Sequence, residues 1–324
     1  MSDLRGYVLD WIEAGRIRPD AAEKALRIAG VMPSRGDWRL FFDRLCLWLG
    51  VVFLAAAVIF FFAYNWQAMG RFGKFAVAEA PILVACLAAW RFGLDGIAGK
   101  AMLLLISLLI GALLALVGQV YQTGADTFEL FAAWAMAILP LVLLARFSAL
   151  WLFWIALLDL ALVLYCQTFS WFFRFAFDRA SIWWMLFCLN TSALCLWEWL
   201  ASTGIDWLQE RWATRVLAVA GGTAVTGLAL WAVLDFEETW GGTLPVYLAW
   251  LAAAYFGYRH WKHDVFVLAG GVLSVIIVVT ALLCKALLSH NYDSGGAFLF
   301  IGMAVIGMAA LGATWLKSVA KEAA

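Results

Sequence analysis

The chain has 324 residues, 66% of them apolar and 14% charged, where soluble domains run at roughly 45–50% and about 25%. Its 22 basic residues balance 22 acidic ones, so no basic excess points to nucleic acid and no acidic tail points to disorder. The composition excludes an ordinary soluble domain and predicts an all-α, polytopic transmembrane helical bundle.

The polar first 44 residues do not read as a signal peptide. They predict two short helices. Leu4, Tyr7 or Val8, and Trp11 recur at helical spacing, Gly15 suits the first helix end, and Pro19-Asp20 suits the next helix start. Ala22, Ala25, Leu26 and Ala29 form a second small stripe closed by Gly30. Pro33 and Gly36 punctuate a link to Trp38, Phe41 and Phe42, which read as an interfacial approach to the membrane. A helical pair this small buries too little to stand alone, so residues 1–44 are expected to dock, either on the inner face of the bundle or on a cytoplasmic protein.

Ten apolar runs follow, at 45–64, 72–90, 101–121, 127–145, 148–169, 180–200, 214–234, 243–261, 264–284 and 296–316. The fourth and fifth run almost into each other and predict a tight helical hairpin. The expected organisation is a helical pair and approach (1–44), a four-span unit (45–145) and a further six-span bundle (146–324). With the N-terminus inside, only Arg71, Lys74, Arg174, Arg179 and Lys285 of the 22 basic residues face outward. The positive-inside rule thus places the chain in an inner membrane with both termini cytoplasmic. Short connections exclude a soluble catalytic domain. The lipid bilayer is the one obligatory partner, and the oligomeric state is left open.

Polar residues inside spans cost about 2.5–3.5 kcal/mol for a central charge, so each needs an account. Asn65 and Trp66 end the first span at the outer interface, where a cap and an aromatic belt suit them. Glu79 lies about 10 Å inside the second span and should be protonated, paired or facing a wet cavity. On the third span, Gly111, Ala115, Gly118 and Gln122 share a face, with Gln119 bordering it and Tyr121 beside it. Asp126 and Glu129 then open the fourth span, where the helix dipole favours acids. Capping explains one of these acids well, and both acids with two glutamines less well. Asn65, Trp66, Glu79, Gln119, Tyr121, Gln122, Asp126 and Glu129 therefore form a candidate ligand or ion cluster at the outer end.

Asp159 is an intramembrane acid near the middle of the fifth span, read as hydrogen-bonded or as a proton site. Asn190 lies at a similar depth. Outer loops add Asp178, Asp235, Glu237, Glu238 and Asp293, which positive-inside sorting leaves there by default. His260-Trp261-Lys262-His263-Asp264 resembles a metal cluster only superficially, because Arg259 and Lys262 adjoin it. Cys46, Cys86, Cys166, Cys188, Cys195 and Cys284 sit in apolar runs without a CxxC pair. No metal, disulfide framework or cofactor is expected. Ala220-Gly221-Gly222 and Ala269-Gly270-Gly271 read as close helix packing rather than as a repeat.

The same residues carry a family likeness. Trp11-Ile12-Glu13-Ala14-Gly15-Arg16-Ile17 with Ala21-Ala22-Glu23, the Ala63-Tyr64-Asn65-Trp66 end of the first span, and Gly118-Gln119-Val120-Tyr121-Gln122-Thr123-Gly124-Ala125-Asp126 resemble the bacterial membrane-protein family DUF2157, over about residues 5–145. The resemblance implies a polytopic bacterial membrane protein and names no activity. The leading reading is a sensor, scaffold or accessory component. The alternatives are a transporter or channel for a small polar solute or ion, and a membrane-embedded enzyme acting on an envelope lipid. No nucleophile–base pair is legible, so the reading leans away from an enzyme and leaves catalytic residues unassigned.

Overall fold

The computed structural model describes residues 2–30, 32–65, 67, 69–169, 181–234, 240–288 and 294–322. Among them the chain is helical throughout, with no strands. The α-helices are α1 (Ser2–Glu13), α2 (Ala22–Ile28), α3 (Arg35–Asn65), α4 (Arg71–Phe92), α5 (Ile97–Tyr121), α6 (Thr127–Leu144), α7 (Ser148–Thr168), α8 (Ser181–Ser202), α9 (Arg211–Leu234), α10 (Trp240–Phe256), α11 (Val265–Leu288) and α12 (Ser294–Glu322). Among the described residues, eight are long and apolar enough to cross a membrane: α3–α7, α9, α11 and α12. The expected sixth and eighth spans are α8 and α10. The first carries Glu198 and four Trp, which lower its mean hydropathy, and the second has 17 residues before it passes into a π-helical turn, Gly257–Trp261.

The chain divides into two compact units, Met1–Leu116 and Val117–Ala324, with the boundary inside α5. In the first unit, α1 ends as its glycine dictates. Gly15 has φ +68°, and Arg16 N–H donates to the Trp11 carbonyl at 2.9 Å, closing a Schellman-type cap. A 3-10 turn, Pro19–Ala21, leads into α2, and Gly30 ends that helix with φ +68°.

The interfacial approach and the first span form one helix: α3 runs from Arg35 and is 31 residues long. Ser34 and Asp37 start it with a capping box. The Asp37 carboxylate accepts from the Ser34 N–H at 2.7 Å, and the Ser34 hydroxyl accepts from the Asp37 N–H at 3.2 Å. Gly36 therefore lies in the first helical turn, where the capping box outweighs its low helix propensity. Val51, Ala55 and Phe62 form the buried stripe of α3, and Ala78, Ala85 and Ala89 that of α4. Gly99 has to be glycine. A Cβ there would stand 1.8 Å from the Gly93 carbonyl oxygen, so the α4–α5 turn closes onto bare backbone.

The second unit opens with the expected hairpin. Ala145, Arg146 and Phe147 separate α6 from α7, and Ala135, Ile138 and Val142 give α6 one buried face. Indole N–H groups tie the pair together: Trp154 donates to the Ala135 carbonyl at 2.9 Å and Trp151 to that of Ala145 at 3.3 Å. Helix α9 is the centre of the unit and packs on α7, α8, α10 and α11. Its Gly, Ala and Thr positions allow this, because small side chains let neighbouring backbones approach. One core joins Leu194 and Trp197 of α8 to Leu217 and Ala218 of α9 and Leu268 of α11, and a second joins Val225, Ala229 and Val233 to Tyr247 and Val278.

Helices α9 and α11 run parallel in a nearly constant register. Arg215 meets Asp264, Thr226 meets Ser274, and Lys285 donates to the Val233 carbonyl. The Gly-Gly pairs at 221–222 and 270–271 stand near one level of this pair. That level follows from a register offset of about 50 residues set by the intervening antiparallel α10.

Candidate functional site

The outer-end residues are placed one helix end at a time. Asn65 is the last residue of α3; its side chain, and all of Trp66, lie outside the described residues, as do Asp178, Asp235, Glu237, Glu238 and Asp293. Glu79 is exposed on α4, one residue past the buried Ala78. Asn65 and Glu79 belong to the first unit, and Gln119, Tyr121, Gln122, Asp126 and Glu129 to the second.

Those last five residues build one turn, and all are exposed. Gln122 ends α5 in the left-handed region at φ +48°, and Thr123 N–H donates back to the Gly118 carbonyl at 3.4 Å. This is the Schellman cap again, with glutamine where glycine is usual. Gly124, at φ +66°, reverses the chain. Asp126 then caps α6, and the Glu129 carboxylate reaches back to accept from the Asp126 N–H at 3.2 Å in a capping box. One local motif thus accounts for both acids, where capping was expected to explain only one. Phe128 of α6 packs edge-on to Tyr165 of α7 at 5.1 Å, with Phe169 beside them, so aromatic rings anchor the hairpin at this end.

At mid-depth, Asn190 of α8 donates to Asp159 of α7 at 2.9 Å and to the Leu186 carbonyl at 3.0 Å. Asn190 is buried, and Asp159 is half-buried. The two polar residues found at similar depths in the sequence are partners.

The other end of the second unit carries a network that the sequence reading passed over. Glu198 of α8 accepts from the Tyr258 hydroxyl at 3.1 Å and pairs with Lys262 at 3.2 Å and Arg211 at 3.8 Å. Asp264 is buried. It pairs with Arg215 at 3.0 Å and accepts from the Phe266 N–H at 3.0 Å, capping α11. Arg211 donates to the Lys262 carbonyl, and Arg259 pairs with Glu322 at the end of α12. The π-helical turn supplies Tyr258 and Arg259 to this network, and its Tyr258 carbonyl accepts from the Asp264 N–H at 3.1 Å. His260 stacks against Phe256, and Asp264 is engaged by Arg215. No group of three metal-ligating side chains occurs among the described residues. A usable sequence signal did exist: Glu198 and Asp264 are acids placed on the basic side of the membrane by the positive-inside count.

Three hydroxyls form a further link across helices. Thr226 of α9 donates to the Gly222 carbonyl at 2.6 Å, and Ser274 of α11 lies 2.6 Å from Thr226 and 3.0 Å from the Tyr247 hydroxyl of α10.

Residues 9–151 match the family described as Predicted membrane protein (DUF2157), the family that the N-terminal and outer-turn motifs resemble. The match covers α3–α6 and ends just inside α7, leaving the central α9 and its network outside it. Neither a curated protein nor a solved structure matches the chain. The chain is thus a membrane protein with several apolar helices, and the description of the matched family carries no activity.

Proposed function

We propose that this membrane protein is a sensor or scaffold component of a bacterial inner membrane, with ten spans and both termini in the cytoplasm. The observation that carries this reading is how its polar groups are used. Asp159 with Asn190, Glu198 with Tyr258 and Lys262, Asp264 with Arg215, and Thr226 with Ser274 each join two elements of the second unit. Such pairs brace a bundle. The N-terminal helices meanwhile present Tyr7 and Trp11 to the surroundings. Large exposed aromatics on a small helical pair suit a cytoplasmic protein partner. The outer residues Asn65, Trp66, Glu79, Gln119, Tyr121, Gln122, Asp126 and Glu129 are its candidate ligand cluster.

A photo-crosslinking amino acid at position 11, in the full chain and in intact cells, tests the partner. One defined protein should be captured, and Tyr7→Ala should abolish its capture. Crosslinks to lipid alone, or to other copies of the chain alone, overturn the reading. Paired cysteines at positions 79 and 122 test the cluster: rapid disulfide formation supports it, and inertness against a reactive control pair overturns it.

A transporter is the second reading, favoured by the mid-depth Asp159–Asn190 pair. Solute- or ion-dependent flux in proteoliposomes, lost in Asp159→Asn, would support it. Absence of flux across varied ions and solutes with folded protein would end it.

A further inference from the structure

Arg215 of α9 is engaged through one edge of its guanidinium. Its Nε donates to both carboxylate oxygens of Asp264, at 3.3 and 3.0 Å, and its Cζ stands 5.5 Å over the Phe266 ring. Its two terminal nitrogens have no acceptor among the described residues. The Asp264 side chain is 2% exposed and that of Arg215 44%, so a buried acid anchors the guanidinium and leaves its fork outward. A planar fork of N–H donors in a fixed orientation matches the oxygens of a phosphate.

The neighbouring charges repeat this arrangement, with the acid beneath and the bases outside. Arg211, one turn before Arg215, shares Glu198 with Lys262; Glu198 is 18% exposed and its two bases 36% each. The first turn of α9 holds no acid, so two arginines one turn apart coincide with the positive end of the helix dipole. Glu210, exposed just ahead of α9, accepts from the Trp212 indole at 2.8 Å. An anion at Arg215 thus has bases before it and Asp264 and Glu198 behind them. The surface beside the fork is apolar: Val216, Val219 and Phe266 are exposed. Both α9 and α11 are long and apolar enough to cross a membrane, and Arg215 lies one turn inside the start of α9, near the end of the span, where bilayer headgroups begin.

We propose that Arg215, positioned by Asp264 and Phe266, binds the phosphate of an anionic glycerophospholipid whose chains lie over Val216 and Val219. The unmet fork and the bases around it select the phosphate. The exposed apolar side chains beside them select a lipid over a soluble phosphate. This site stands independently of the partner, ligand-cluster and transport readings.

Native mass spectrometry of the full chain, titrated in detergent with phosphatidylglycerol or phosphatidylcholine, measures the lipid retained. Phosphatidylglycerol should bind about fivefold more tightly than phosphatidylcholine. Arg215→Met should weaken phosphatidylglycerol binding about tenfold, the loss of one charge-assisted pairing. Arg215→Lys keeps a cation for Asp264 but loses the fork, and should weaken it about threefold. Lys317→Gln, which removes an exposed base of α12 outside the site, should leave it unchanged. Saturating inorganic phosphate should not displace the lipid. Equal retention of the two lipids, or binding unchanged in Arg215→Lys, overturns the proposal. So does a loss in Lys317→Gln as large as that in Arg215→Met, which marks diffuse charge attraction. Displacement by inorganic phosphate overturns the assignment to a lipid. A melting transition confirms the fold of each variant, and Arg215→Lys decides the matter alone where Arg215→Met does not fold.

Discussion

Asn190 of α8 holds Asp159 of α7 by a 2.9 Å hydrogen bond, and its amide nitrogen also donates to the Leu186 carbonyl one turn back. One side chain thus ties a neighbouring helix to its own. Removing it strands an acid, while removing both polar groups strands nothing. Asn190→Leu should lower stability by about 1–3 kcal/mol, and the Asp159→Leu, Asn190→Leu double variant should recover most of that loss. Asp159→Asn, which keeps a polar pair, should cost less than about 1 kcal/mol. Unfolding of purified protein in mild detergent measures all three.

Asp264 performs two tasks from a buried position: it pairs with Arg215 and caps α11 through the Phe266 N–H. Asp264→Ala removes both and should destabilise by about 2 kcal/mol, discounted from a fully buried pair because Arg215 is partly exposed. Asp264→Asn retains the cap and should lose about half as much. Arg215→Met should fall between the two. The same unfolding assay orders them.

Gln122 occupies a left-handed backbone position that glycine adopts without strain. Gln122→Gly should raise stability by up to about 1 kcal/mol. This separates the two roles of the residue. A ligand-binding function of the outer cluster predicts lost binding in a more stable protein, whereas a purely structural role predicts a gain with function intact. Melting and a binding or complementation assay on the same variant discriminate them.

The capping box at the start of α6 gives a graded expectation. Asp126→Asn should be close to neutral, because Asn caps as well as Asp. Asp126→Ala should cost about 1 kcal/mol, and Glu129→Ala about 0.5 kcal/mol. Hydrogen exchange of the first α6 amides reads the effect locally, with faster exchange confined to that turn.

Much of the fold is legible in the residues. Apolar runs mark the helices, Gly15 and Gly30 end the N-terminal pair with the positive φ that glycine permits, and Ser148 follows a three-residue turn that makes a hairpin of two nearly continuous runs. These features are local, set by a few neighbours along the chain. The candidate outer turn is legible for the same reason, because Gln119 to Glu129 is one contiguous segment. The link that Pro33 and Gly36 were read to punctuate is equally local, and a Ser34–Asp37 capping box starts the next helix there.

Sequence alone therefore determined that this is a helical membrane protein, where its helices fall, and which positions are polar against the preference of the bilayer. Only the tertiary structure decided which polar groups meet. Asp159 finds Asn190 31 residues away, Arg215 finds Asp264 49 away, and Thr226 finds Ser274 48 away. Burial in a bilayer demands that such groups have partners. Which partner each finds depends on helix register and on the parallel pairing of α9 with α11, and no short-range pattern in the chain encodes either.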